Sequence, residues 1–116
     1  MPTSRRDLLP GTLDMIVLKT LTAGPLHGYG IAQQIKLRSG DVFDVEEGSL
    51  YPALQRMRQK GWLKAEWGRT PNSQRARYYH ITDKGRSALA EKTAAWRELN
   101  QAVNTILEKS DGPRQA

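Results

Sequence analysis

The 116-residue chain has no cysteine. That excludes disulfides, thiolate metal sites and cysteine nucleophiles together. Histidine occurs only as His27 and His80, with no His-x-x-x-His or Glu-x-x-His spacing on a helix. No nucleophile, base or metal constellation can be assembled from what remains, so neither an enzyme nor a cofactor is expected. No apolar run approaches the roughly 18–20 residues that span a bilayer, and no membrane partner is expected. Residues 1–10 carry Arg5 and Arg6 but lack an apolar stretch followed by a small-residue cleavage site, so a cytoplasmic protein is expected. No internal repeat or low-complexity tract is visible. The length fits one domain with at most one appended element.

What is present is positive charge, unevenly placed. The net charge is +6. Between Arg56 and Arg86 nine basic residues face only Glu66 and Asp83, which is +7 in 31 residues; the other 85 residues therefore sum to −1. Such a block attracts phosphates or an anionic surface; a solvated charged face is the alternative reading.

The periodicity predicts four helices and one hairpin. The first helix runs from Thr12, a potential cap, to Thr22, with Leu13, Ile16, Val17 and Leu21 on one face. The second spans 28–38, with Ile31, Ile35 and Leu37 as its apolar stripe, His27 as a turn or capping residue at its entry and Gly40 closing it. The third spans Glu47 to Lys60. Leu50, Ala53, Leu54 and Met57 share one face, and Pro52, Gln55, Arg56 and Gln59 lie opposite. Tyr51 and Arg58 flank one side, Ser49 and Lys60 the other. A strand from Trp62 to Trp67, a turn-rich loop over 68–74 and a strand from Arg75 to Ile81 form a hairpin with a basic rim. Thr82 is placed to cap a last helix reaching Lys109, roughly 40 Å long at 1.5 Å per residue. Along it Leu89, Trp96 and Val103 recur at seven, and Leu99 and Ile106 form a second seam that Lys92 interrupts: a partial heptad.

The fold class is thus mainly α with a small β-hairpin: a winged helix-turn-helix over 9–81 and a long C-terminal dimerisation helix over 82–109. Residues 1–8 and 110–116 are expected to be flexible. This layout suits duplex DNA. A helix fits the major groove, and a basic hairpin reaches the neighbouring backbone or minor groove. Gln55 and Gln59 suit bidentate contact to adenine, and Arg56 suits guanine or phosphate. Gly48 and Ser49 leave the start of the third helix open to a phosphate. The competing readings are a solvated helix face, and hairpin arginines Arg69, Arg75 and Arg77 that merely deter strand-to-strand aggregation. Asp41, Asp44, Glu46 and Glu47 read as a solvated loop favouring the helix dipole, with a weak cation site as the alternative reading.

Three motifs then resemble a known family. Gly48-Ser49-Leu50-Tyr51-Pro52-Ala53-Leu54-Gln55-Arg56-Met57 with Lys60-Gly61-Trp62-Leu63 resembles the recognition helix of the PadR-like transcription regulators. His27-Gly28-Tyr29-Gly30-Ile31 and Arg77-Tyr78-Tyr79-His80-Ile81-Thr82-Asp83-Lys84-Gly85 resemble its other two signatures, in the same order and spacing. Gly30 departs from the acidic or larger residue many members carry there. The resemblance covers about residues 9–107. It implies a homodimeric repressor released by a small molecule, with Tyr51 on the DNA backbone, the wing in the adjacent groove, and the first and last helices forming the dimer. The short C-terminus resembles the smaller branch, with a single C-terminal helix. The candidate DNA-binding set is Ser49, Tyr51, Pro52, Gln55, Arg56, Arg58, Gln59, Arg69, Arg75 and Arg77. The candidate dimer set is Leu13, Val17, Leu89, Trp96, Leu99, Val103 and Ile106. Trp96 resembles a tryptophan that stacks on planar aromatic ligands in some relatives, so a small aromatic effector there stands beside the reading that Trp96 only fills the dimer seam. A protein-interaction module without operator specificity is the other functional class; the basic wing argues against it.

Overall fold

The computed structural model of the protein describes residues 10–109, so the two expected flexible ends, 1–8 and 110–116, lie outside the described residues. The elements in order are α1 (Pro10–Leu21), β1 (Leu26–His27), α2 (Gly28–Arg38), α3 (Glu47–Gln59), β2 (Leu63–Arg69), β3 (Arg75–Ile81) and α4 (Asp83–Glu108). The architecture is mainly helical with a small antiparallel sheet, as the sequence predicts. The sheet has three strands rather than two, in the order β1-β3-β2. The extra strand is a two-residue pairing, Leu26 opposite Tyr79 and His27 opposite Tyr78. It is too short to leave a period in the sequence.

The core lies where α1, α2 and α3 converge over the base of the sheet. Val17, Leu18, Leu21, Ile31, Ile35, Leu50, Leu54 and Met57 are wholly or almost wholly buried there, with Leu63 and Tyr79 from the strands. Full burial of each large aliphatic side chain contributes about 1.5–3 kcal/mol. Leu37 is not part of this stripe and stands 69% exposed, because the helix turns it away from the face that holds Ile31 and Ile35.

Local signals set the helix ends. His27 caps α2, its Nδ1 accepting from the Gly30 N–H at 3.1 Å. Both α2 and α3 finish in the same double hydrogen bond. Asp41 N–H donates to Lys36 O and Gly40 N–H to Leu37 O; Trp62 N–H donates to Met57 O and Gly61 N–H to Arg58 O. Gly40 and Gly61 take the left-handed φ values of 64° and 81° that this ending requires. Three expected boundaries move. α1 begins at Pro10, so Thr12 sits inside the helix and does not cap it; proline is well suited to a first turn. Trp62 belongs to the turn after α3, and β2 instead runs two residues further, to Arg69. Pro52 lies in the second turn of α3, where it leaves the carbonyl of the exposed Gly48 without its helical donor.

Thr82 ties the end of the hairpin to the end of α3. Its Oγ1 donates to Gly61 O at 2.6 Å and accepts from Gly85 N–H at 3.0 Å, and its own N–H donates to Trp62 O at 3.0 Å. A Cβ on Gly85 would collide with the Trp62 carbonyl oxygen. Gly85→Ala is therefore expected to destabilise the fold by about 2–3 kcal/mol, measured by urea unfolding; an unchanged midpoint would show that the junction can open at no cost.

Candidate nucleic-acid interface

The outward face of α3 is built by exclusion. Leu50, Ala53, Leu54 and Met57 are drawn into the core, which turns Ser49, Tyr51, Pro52, Gln55 and Gln59 to solvent. Arg58 sits at the edge, its Nη2 3.5 Å from Gln55 Oε1, a weak contact that a ligand can displace.

Arg56 departs from expectation. Its Nη2 pairs with Asp14 Oδ1 of α1 at 2.6 Å, and the Asp14 side chain is 6% exposed against 40% for Arg56. Removing the arginine strands a buried carboxylate, which costs far more than the loss of a surface pair. Arg56 is thus first a strut between α1 and α3. Sequence periodicity places it on the outer face because an angle on a helical wheel carries no information about a neighbouring helix.

The wing changes character along its length. Residues directly opposite in β2 and β3 share a face, and one face carries Leu63 with Ile81, Ala65 with Tyr79, Trp67 with Arg77 and Arg69 with Arg75. At the base this face is core. Two pairs further out no helix among the described residues covers it, and the same face becomes aromatic and cationic. Trp67 is 58% exposed. The Arg75 guanidinium carbon lies 4.3 Å and that of Arg77 5.5 Å from its ring centre. Arg69 is partly committed elsewhere: its Nη1 donates to Ser73 O at 2.7 Å and pins the loop tip, which Thr70 closes with bonds to Ser73 and Gln74.

Between the wing and the start of α2 lies an open cleft of about 830 Å³ whose walls include Tyr29, Gln33, Tyr51, Trp67, Arg75 and Arg77. Tyr51 reaches it across the N-terminus of α2, packed where a Cβ on Gly28 would stand 2.5 Å from its hydroxyl oxygen. Burial, then the Glu47 carboxylate and Tyr79, push the Tyr51 hydroxyl above the usual phenol value. It therefore stays protonated, and a donor, throughout the neutral range. The structure thus brings Tyr51, Arg75 and Arg77 together, leaves Gln55 and Gln59 on the open helix face, and withdraws part of Arg56 and Arg69. The sequence reading missed Trp67, Tyr29 and Gln33. Trp67 carried a signal, since it lies in a strand beside an arginine-rich partner, but its opposition to Arg77 depends on hairpin register.

The chain matches the model of the transcriptional regulator PadR-like family over residues 17–91. It belongs to the PadR-like family of transcriptional regulators. It is 31% identical over 98 residues to the transcriptional regulator Rv3488 of Mycobacterium tuberculosis, covering 84% of this chain and 88% of that protein. Among solved structures it is similar to a transcriptional regulator from Clostridium thermocellum, with a TM-score of 0.79 and 27% identity over 88% of this chain and 99% of that one. It is also similar to a PadR-like transcriptional regulator from Bacillus cereus, with a TM-score of 0.76 and 28% identity over 89% and 98% of the two chains. Members of the family are transcriptional regulators, not enzymes, and the three helices with their hairpin are its winged helix-turn-helix DNA-binding unit.

The dimer candidates on this PadR-like chain divide. Leu13 and Val17 are 5% and 0% exposed within the single chain, so they are core residues and offer nothing to a partner. Leu89 packs partly against the core. Trp96, Leu99, Val103 and Ile106 are 43–73% exposed, joined by Leu107 at 73%. Trp96 also borders a groove of about 490 Å³ between α1, the end of α2 and α4.

Gly28→Ala is expected to displace Tyr51 rather than unfold the chain, because the clash is with the far end of a side chain. DNA affinity should fall to the level of Tyr51→Leu, by about 1–2 kcal/mol, with little change in melting temperature. Unchanged affinity would show that the position of Tyr51 is immaterial.

Proposed function

We propose that this PadR-like regulator acts in the cytoplasm as a homodimeric repressor on a pseudo-palindromic operator, with a small aromatic molecule relieving repression. The observation that carries DNA recognition is the continuity of one surface. The open face of α3 and the cationic face of the wing meet at the cleft that Tyr51 lines. Gln55 and Gln59 read base edges from the major groove, Ser49, Tyr51, Pro52 and Arg58 hold the backbone, and Arg75 and Arg77 reach from the wing, with Arg69 shaping its tip.

The dimer reading rests on α4. From Ala94 to Lys109 every residue is exposed, and Trp96, Leu99, Val103, Ile106 and Leu107 form one apolar stripe. Each large side chain of this stripe gains about 1.5–3 kcal/mol from full burial, and a second copy supplies that burial. Two such protomers present two α3 helices to successive major grooves, with half-sites about one turn, ~34 Å, apart.

The test is titration of duplex from the protein's own upstream region against a scrambled duplex, at two salt concentrations, with sedimentation in parallel. The expected result is a dimer at micromolar concentration that prefers its own site by about 10³-fold, with affinity falling steeply as salt rises. No binding to either duplex at low salt would overturn DNA recognition, and a monomer would overturn the dimer.

Effector binding is assigned to Trp96, whose indole is a flat stacking platform at the mouth of the groove beside α1. Trp96→Ala is expected to weaken a planar aromatic dye about tenfold or more, in line with the loss of a stacking platform. Unchanged dye affinity would leave Trp96 as seam packing alone.

A further inference from the structure

The cleft between the wing and the start of α2 contains features that base reading by α3 does not use. Its walls are rich in donors and cations, and no acidic side chain lines it among the described residues. One wall is the N-terminus of α2, an 11-residue helix, whose dipole favours an anion. Another is Tyr51, with its hydroxyl held protonated. The third is the wing, where Arg75 and Arg77 lie against the ring of Trp67 and the Arg77 Nε is buried without a hydrogen-bond partner. An Nε shut away in this manner leaves the guanidinium only its terminal nitrogens for a ligand. Gln33 Nε2 donates to the Tyr29 hydroxyl at 3.2 Å, which leaves that hydroxyl's own proton for another acceptor.

We infer that this cleft seats a backbone phosphate of duplex DNA and that Trp67 is the positioning residue that holds Arg75 and Arg77 ready for it. The inference rests on the DNA-binding reading and deepens it. An arginine on an exposed strand samples many rotamers, and a phosphate that captures it pays for the ordering. Stacking on an indole removes much of that cost before DNA arrives, and guanidinium suits it because it is planar and weakly hydrated. The base of the wing is fixed by the β1–β3 pairing, so the stacked arginines are held at a set distance from Tyr51 and the α2 terminus. A phosphate is the ligand that matches the cleft: a compact anion with several acceptors, presented by the duplex beside the groove that α3 enters.

The experiment compares the full-length protein with Trp67→Leu, Trp67→Phe and Arg77→Lys on the duplex bound by the wild type, across a salt series. Trp67→Leu keeps bulk but has no aromatic face. It is expected to bind about tenfold more weakly, with a salt slope reduced by about one per protomer, although both arginines remain. Trp67→Phe restores most of the loss, since a phenyl face still stacks. Arg77→Lys keeps the charge but not the planar fork, and weakens binding at every salt concentration. The melting temperature of the unbound protein stays at the wild-type value in the two Trp67 variants, because Trp67 lies mostly in solvent. Wild-type affinity and slope in Trp67→Leu would overturn the positioning role. A Trp67→Phe variant as weak as Trp67→Leu would do the same, by showing that the aromatic face is not what matters. Wild-type affinity in Arg77→Lys would overturn the phosphate seat. Failure of the wild type itself to bind duplex would instead strike the DNA-binding reading beneath it.

Discussion

Thr82 joins two turns that are 21 residues apart in the chain. Its hydroxyl donates to Gly61 O and accepts from Gly85 N–H, while its backbone N–H donates to Trp62 O. The recognition helix therefore stops, the wing starts, the wing ends and the long helix starts at one point. This contact is possible only because Gly85 lacks a Cβ where the Trp62 carbonyl passes. Hydrogen bonds this short and partly buried give the hairpin a fixed root, and the direction in which α4 leaves the domain follows from the same junction. The arrangement of helix, wing and helix is thus a property of a few backbone atoms rather than of the exposed side chains of α3 and the wing.

A second tie runs from α1 to α3 through Asp14 and Arg56. α1 also borders the groove that Trp96 lines, so the helix beside that groove and α3 share a partly buried ion pair. Partly buried pairs of this kind resist being broken by the removal of one member, and they have a defined geometry.

The two halves of α4 have different surroundings. Near Gly85, Ala88 and Leu89 the helix packs against the sheet and α1. From Ala94 every residue is exposed, although Trp96 still borders the groove beside α1, and the radius of gyration, 17.2 Å, exceeds the roughly 13 Å of a compact chain of 100 residues. A helix this long, with an apolar stripe that nothing among the described residues covers, has the shape of half an interface.

Sequence alone determined the helices, the cap at Thr82, the closure at Gly40, and the basic hairpin, because each is a local rule: period, cap chemistry or tolerance of a left-handed φ. It also placed Gln55, Gln59 and Tyr51 outside the core, since the apolar face of α3 is unambiguous. Tertiary packing decided the rest. Val17 shows the same helical period whether its face meets its own core or a second chain, and only the fold assigns it to the core. Arg56 is outward on a helical wheel and is bound to Asp14 only because α1 crosses α3 there. Two residues of β1 have no period to read, and Trp67 meets Arg75 and Arg77 only through strand register and an uncovered strand end. Local propensity is written along the chain, whereas which faces are covered, and by what, depends on contacts between residues distant in it.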